Sequence, residues 1–402
     1  MASLPSPSEL LARYVVRNAR YVLDVLAQTG PHLSDQQVEM ALQALDFTLE
    51  RQDTWPQARA LLLALAPIME NKGHDAWWQH FLESGLAVSQ EMGDEEGEMY
   101  LRYHLGILWS HRARYEEAIA QHERGLALAQ RRNQRRWQVR FASRLASHGR
   151  HLRRWEEAEA WLRQAQALIQ PEDLEEQGYL FLVQGAIALD RREWKQAYAH
   201  FRKSLAAWQA CGDNIQIAKA YANLGLVARR LQRIEEAETY LRQAVQRLET
   251  SQNPRLLAVA RMNLGALLAD VDRAEEGLVF LREAEAFFRR VQDPMRQAMT
   301  AIDLGRAYYA LQEWEQAVAA LSLGRELWQG LGNLPRTLNA QAGLAAACAR
   351  HGEFDRARAL IQEGRARLAH LTNIHDRRFL KDAFDEAERI LRRAVEEKGK
   401  SG

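Results

Sequence analysis

The sequence predicts an all-α protein, a solenoid of tandem helix–turn–helix repeats, and three periodic features predict it. A small residue recurs at spacings of 39 or 40 residues, at Ala118, Ala158, Ala197, Ala237, Gly277, Ala317 and Ala357. A second small residue precedes each of these by twelve positions, and Leu stands before it in six of the seven copies. One such helix pair cannot bury its apolar face alone, so adjacent copies are expected to pack on one another.

The second small residue is glycine in most copies, as at Gly106, Gly225 and Gly305. Glycine inside a helix costs about 1 kcal/mol relative to alanine. Its return at one place in the pattern therefore indicates a close approach between neighbouring helices.

The amino-terminal residues 1–52 are predicted to form a helix pair that is either a cap or a degenerate repeat. Ser6 and Glu9 flank Pro7 in the pattern of a capping box, and Ser34 opens a second helix in the same way. These two helices lack the recurring small residues of the later copies.

The remaining chain divides by the same register. Residues 53–93 are predicted to be a degenerate repeat, and residues 94–371 to be seven regular repeats. Residues 372–397 are predicted to form an amphipathic helix that caps the last repeat, because a terminal apolar face would otherwise be exposed. Residues 398–402 are expected to be a disordered tail.

Leu224 and Gly225 in the first helix, with Ala237 in the second, resemble the core of the tetratricopeptide repeat. The period exceeds the roughly 34 residues usual for that family. It is similar to the long-period repeats of kinesin light chains, polarity adaptors and bacterial peptide-sensing regulators. The additional residues are expected between repeats, as in segment 209–214. The resemblance implies a right-handed superhelix whose first helices line a concave groove.

Bulk composition excludes several classes of protein. The formal net charge is +1 in 402 residues, which provides no overall attraction to nucleic acid or acidic membranes. Cys211 and Cys348 lie in different repeats, so a disulfide is not expected and a reducing compartment is. Neither a secretory leader nor a long apolar segment is visible, and we expect a soluble, cytoplasmic protein.

The resemblance also suggests where a ligand would bind. In the family, the position two residues before the glycine often carries Asn, which bonds the backbone of a bound peptide. Here that position holds Asn223, Asn263 and Asp303 in the fourth to sixth regular repeats, and a solvated helix-surface Asn is the alternative explanation. The same register places four further side chains in the groove: Lys219, Arg230, Arg306 and Tyr309. This mixture favours an acidic or carboxylate-ended peptide that also makes apolar contacts.

A basic block lies between residues 124 and 155, where no Asp or Glu occurs. Its candidate binding residues are Arg131, Arg132, Arg135, Arg136, Arg140 and Arg144. The simplest interpretation is a solvated helix pair whose charges pair with glutamates of adjacent helices. An acidic protein partner and single-stranded nucleic acid are the alternatives, the second because Trp137 lies among the arginines.

Catalytic motifs are absent from the sequence: it contains no phosphate loop, dinucleotide fingerprint, zinc-protease helix or nucleophile elbow. We therefore expect no enzymatic activity, no cofactor and no metal. The predicted function is that of an adaptor that binds a peptide or protein segment in its groove. A ligand-responsive regulatory sensor is the alternative, and nucleic-acid binding through the arginine block is the least favoured. The sequence identifies neither the partner nor the oligomeric state.

Overall fold

A computed structural model of the chain describes residues 6–29, 33–72, 75–251 and 253–401, and these ranges contain helices and no β-strand. The helices are α1 Pro7–Thr29, α2 Asp35–Leu49, α3 Trp55–Lys72, α4 Asp75–Glu91, α5 Glu95–His111, α6 Tyr115–Arg131, α7 Arg135–His151, α8 Trp155–Leu168, α9 Leu174–Asp190, α10 Trp194–Cys211, α11 Asn214–Arg230, α12 Ile234–Thr250, α13 Pro254–Asp270, α14 Ala274–Arg290, α15 Pro294–Ala310, α16 Trp314–Gly330, α17 Leu334–His351, α18 Phe354–Arg367 and α19 Ile374–Ser401. Two short 3₁₀ turns, Gln52–Thr54 and Leu368–His370, precede α3 and follow α18. The predicted all-α class of tandem helical repeats is confirmed.

Most helices from α5 onward have 17 residues, and similar short turns join them. In most of these turns one residue is left-handed: Gly93, Ala113, Asn133, Arg153, Arg192, Gly212, Gln232, Asp272, Gln292, Gln312, Gly332 and Gly352. The next backbone N–H bonds to the carbonyl five residues earlier, as from Glu313 to Tyr308 at 2.9 Å, which is a Schellman cap. The extra length of the repeat therefore lies within the helices. The expectation that it lies between repeats is wrong, since α10 continues to Cys211.

The junction between α8 and α9 departs from this pattern. Helix α8 has only 14 residues and ends at Leu168, because Ile169 is extended and Pro171 follows. This is the place where the spacing of the repeat falls from 40 to 39 residues. The chain then enters α9 at Leu174, immediately after the buried side chain of Asp173.

The chain divides into two compact units, Met1–Val227 with Gln246–Leu256 and Ala228–Val245 with Leu257–Gly402. Each unit has its own apolar core. In the first, one core cluster extends from α1 to α6, and smaller clusters follow between α5 and α9. In the second, one cluster involves α13 to α15 and another α16 to α19.

The recurring glycines lie where the following helix inserts a large side chain. A Cβ added at Gly185 would lie 2.6 Å from the Phe201 ring, and one at Gly305 would lie 2.5 Å from Cγ of Leu321. Real Cβ contacts are not that short, so glycine at these places permits the close packing that the sequence indicated.

The first two helices and the last helix can be compared with the predictions. Ser34 and Gln37 form the predicted capping box of α2, and Ser6 exchanges hydrogen bonds with Glu9 at the start of α1. Helix α19 continues to Ser401, so the predicted disordered tail is corrected: residues 398–401 are helical, and Gly402 lies outside the described residues. The division into cap, degenerate repeat and seven regular repeats stays a prediction.

Candidate functional site

A row of alternating charges lies on the first helices of the second unit. Arg229 at the end of α11 donates from Nε to Asp270 of α13 at 2.7 Å. Asp270 also pairs with Arg306 of α15, whose guanidinium lies 3.4 Å from the Asp303 carboxylate. These contacts bring Asp303 and Arg306, two residues predicted from the sequence, into one cluster with two residues that the prediction did not emphasise.

Arg230 adds an unneutralised charge to this row. Its side chain is exposed, and it has no carboxylate within ion-pair distance among the described residues. Burial by the surrounding protein, followed by the charges of Arg229 and Arg306, lowers the pKa of Arg230. A guanidinium that reaches solvent but is surrounded by protein can bind an anionic group without first breaking an internal ion pair.

The Asp303 carboxyl is more buried than its ion-pair partner Arg306, whose side chain is 45% exposed. The Asp303 side chain is 19% exposed, and burial raises its pKa, against the opposing effect of Arg306 and Arg229. Three arginines and two aspartates form the row, so the cluster has a surplus of positive charge.

Two other predicted residues of this unit have different surroundings. Asn263 of α13 is 8% exposed, and its amide forms no hydrogen bond with the part of the chain that the structure describes. A buried amide in this state is able to bond a peptide backbone. The ring of Tyr309 instead packs edge-on against that of Trp314, with 5.1 Å between the ring centroids, beside the apolar core of α16 to α19.

Lys219 and Asn223 belong to the first unit, on α11. Both side chains are partly buried, and their spacing of four residues places them on the same face of the helix. Their participation in a ligand site stays a prediction.

Ion pairs within the chain engage most of the arginine block. Arg131 and Arg132 approach Glu95 at 3.1 and 3.4 Å. Arg140 contacts Glu175 and Glu176 at 2.7 and 3.0 Å. Because these charges are already compensated, the block is less available to an anionic partner than its composition suggests.

Asp173 is the centre of the strongest of these contacts. Arg135 and Arg136 both donate to its carboxylate, and the backbone N–H of Gln170 donates to it at 2.9 Å. The hydrogen bond from Arg135 is the main reason why the pKa of Asp173 is lowered to about 2. Arg144 differs from the others, since it donates to the hydroxyl of Tyr103 at 3.1 Å and lies over the rings of Tyr103 and Tyr179.

The sequence analysis missed one polar pair in the core of the first unit. His122 of α6 and His148 of α7 are 0% and 2% exposed, and Nε2 of His148 lies 3.0 Å from Nδ1 of His122. A signal was present in the sequence. Each histidine occupies a position of the repeat that is apolar in the other regular copies.

Comparisons with known proteins agree with this architecture. The helices define a protein of tandem helical repeats. A sequence model of the tetratricopeptide repeat matches residues 179–250. No curated protein matches the sequence.

Several solved structures share the fold. A Rap protein complexed with Competence and Sporulation Factor is 14% identical, with a TM-score of 0.55 over 74% of this chain and 88% of that one. The apo quorum sensor NprR from B. thuringiensis is 16% identical, with a TM-score of 0.55 over 78% and 86%. The Rap conjugation gene regulator of plasmid pLS20, in complex with the Phr* peptide, is 17% identical, with a TM-score of 0.52 over 97% and 98%. The predicted similarity to bacterial peptide-sensing regulators is therefore confirmed at the level of the fold.

Among the described residues, no helix is long and apolar enough to cross a membrane. The His, Cys, Asp and Glu side chains of the same residues form no group of three that could hold a metal ion.

Proposed function

We propose that this chain is a non-catalytic scaffold that binds a peptide or protein segment on the first helices of its second unit. The exposed guanidinium of Arg230, at the edge of the row formed by Arg229, Asp270, Arg306 and Asp303, carries the proposal. An anionic group of the ligand would pair with Arg230. The amide of Asn263 would bond the ligand's backbone.

The architecture supports this proposal for a physical reason. Helices α13 and α15 pack with α14 in one apolar core cluster, so Asp270, Asp303 and Arg306 are positioned before a ligand arrives. A preformed surface avoids the ordering free energy that a flexible receptor loses on binding.

A peptide array tests the proposal directly. Labelled protein would be applied to arrays of short peptides with free carboxyl termini and with acidic, neutral or basic side chains. We expect wild type to retain acidic or carboxylate-ended peptides, and Arg230→Gln to lose them by about tenfold or more, the effect of one charged hydrogen bond. Arg289→Gln is the matched control, because it removes an equally charged but 71% exposed side chain of the same unit.

Equal binding by Arg230→Gln and wild type would show that the anion does not bind there. If wild type retained no peptide of any class, the proposed function itself would be wrong. Circular dichroism of each variant would exclude loss of folding as the cause.

A ligand-responsive sensor is the second candidate. It is favoured by structural neighbours whose titles describe a quorum sensor and peptide complexes of Rap proteins. Its signature would be a change in small-angle scattering when a peptide selected on the array is added. Nucleic-acid binding through the arginine block is less favoured because Arg135, Arg136 and Arg140 are paired internally. A steep loss of binding with salt would be its sign.

A further inference from the structure

The buried histidines occupy two positions that the other regular repeats fill with apolar side chains. The equivalents of His122 are Leu162, Phe201, Leu241, Leu281, Leu321 and Ile361, and those of His148 are Leu108, Ile187, Val227, Leu267, Ala307 and Ala347. All of these residues are buried. The local backbone is also the same, since a Cβ added at Gly106 would lie 2.1 Å from the His122 ring, as one at Gly185 would lie against Phe201.

The hydrogen bonds determine where the protons are. Nε2 of His122 lies 3.0 Å from the carbonyl oxygen of Tyr103, and a carbonyl can only accept, so this nitrogen carries the hydrogen. Nδ1 of His122 is then an acceptor, and Nε2 of His148 must be the donor to it. The remaining nitrogen, Nδ1 of His148, is buried and has no hydrogen-bond partner. Both rings are therefore neutral, and the pair has one vacant basic nitrogen.

A proton added at that nitrogen would meet no acceptor. The ionisable groups facing the pair are Tyr103 and His104 from α5, Tyr115 from α6, and Arg144, Arg150 and His151 from α7. The nearest fixed charges are thus cationic, and Arg150 is itself paired with Asp190 of α9 at 2.7 Å. Burial, with these charges added, lowers the pKa of His122 to about 3 and that of His148 well below its usual value.

We propose that the packing of α5, α6 and α7 around His122 and His148 is an acid-sensitive joint, which is closed while both imidazoles are neutral and opens when they take up protons. The proposal goes beyond peptide binding and does not depend on it. Opening can be local because each repeat contacts mainly its neighbours, so one interface can separate while others persist. The joint includes Tyr103, whose ring also contacts Trp137 and whose hydroxyl contacts Arg144.

The direction of the pH effect follows from the two lowered pKa values. The unfolded or opened histidines bind protons near pH 6.5, whereas the closed pair does so only at much lower pH. The stabilisation of the joint is therefore complete above about pH 6.5 and is lost as pH falls below that value. Two protons are taken up on opening, so the equilibrium constant for opening should rise about 100-fold per pH unit below about pH 6.

Native-state hydrogen exchange tests the joint. Peptides from α5 to α7 would be followed at pH 7.5 and pH 5.0, with rates corrected for the intrinsic pH dependence of exchange. We expect wild type to lose protection in these helices at pH 5.0 by at least about 100-fold, with a much smaller change in α15 and α16. The double variant His122→Phe/His148→Leu, which introduces the side chains found at Phe201 and Leu108, should retain its protection.

Two outcomes would overturn the proposal. One is an unchanged protection of α5 to α7 in wild type at pH 5.0, and the other is an equal acid-induced loss in the folded double variant. If the double variant does not fold, the wild-type imidazole resonances decide the question by NMR. Neutral rings for His122 and His148 down to the pH of opening are expected, whereas titration near pH 6.5 in the closed protein would contradict the proposal.

Discussion

Two stretches of the molecule fill the same repeat positions with different chemistry. In α15 to α18, Leu321 packs against Gly305, and the side chains of Asp293 and Asn333 cap α15 and α17. In α5 to α9, His122 packs against Gly106, and α7 has no side-chain cap. From α5 to α8 the backbone is the same as from α15 to α18, with helices and left-handed turns at equal spacing. The repeat therefore requires a given volume and backbone path more strictly than it requires an apolar side chain.

A buried polar side chain needs hydrogen-bond partners that a buried apolar side chain does not need. An apolar side chain such as Leu321 has no hydrogen bonds to lose, whereas His122 needs both Tyr103 and His148. Likewise, the Asp293 carboxylate caps α15 by accepting a hydrogen bond from the backbone N–H of Arg296 at 3.0 Å. The Asp173 carboxylate does not cap α9 and instead accepts hydrogen bonds from two arginines of α7. The stretch from α5 to α9 is consequently more sensitive to pH, and the stretch from α15 to α18 depends more on shape.

Overpacking a close contact between helices should change the free energy of unfolding the most. Gly305→Ala places a Cβ 2.5 Å from Cγ of Leu321, so the two helices must separate. We expect a loss of about 3 kcal/mol in the free energy of unfolding, typical of overpacking in a core. Urea unfolding followed by circular dichroism measures it.

Gly343→Ala is the matched control, because it is also a glycine inside a first helix. Its added Cβ would lie 3.5 Å from the nearest Leu321 atom, which is an ordinary contact. Alanine should therefore stabilise α17 by up to about 1 kcal/mol. If both variants lost the same stability, close helix packing would not explain the recurring glycines.

The buried carboxylate should produce the next largest effect. Asp173→Asn removes the negative charge that Arg135 and Arg136 share, and we expect a loss of about 2 kcal/mol at neutral pH. Asp293→Asn is the control, since Asn caps a helix about as well as Asp and should change stability by only a few tenths of a kcal/mol. Chemical denaturation of both variants at pH 7 measures the difference.

The effect of Asp173 has a defined pH range. Its pKa is lowered to about 2 from the ordinary 3.8, so its stabilisation is present above about pH 4 and is lost as pH falls towards 2. Wild type and Asp173→Asn should thus converge in stability at pH 2 to 3. A constant difference across that range would assign the effect to packing and not to charge.

The sequence was sufficient for the fold because its signals are periodic. Gly305 and its equivalents mark close helix contacts, and the 40-residue spacing marks the repeat. The charged site was harder to predict, because Arg229 and Asp270 are 41 residues apart and meet only after the helices pack. The histidine pair was overlooked for a related reason: a single His is unremarkable until it is compared with the other residues at the same repeat position.

The smallest expected change in stability concerns the turns between helices, which contain a left-handed residue in both stretches. Ala113 and Gln312 have left-handed φ values of 58° and 61°, whereas Gly332 has the same conformation without a Cβ. The left-handed conformation costs an L-residue about 1 to 2 kcal/mol. Replacing that residue with glycine removes this cost, but glycine loses more backbone entropy on folding, which offsets part of the gain. We expect Ala113→Gly and Gln312→Gly each to stabilise by about 0.5 kcal/mol and Gly332→Ala to destabilise by about 1 kcal/mol. Urea unfolding measures all three, and a destabilising Gln312→Gly would mean that the side chain makes contacts in the turn worth more than its backbone strain.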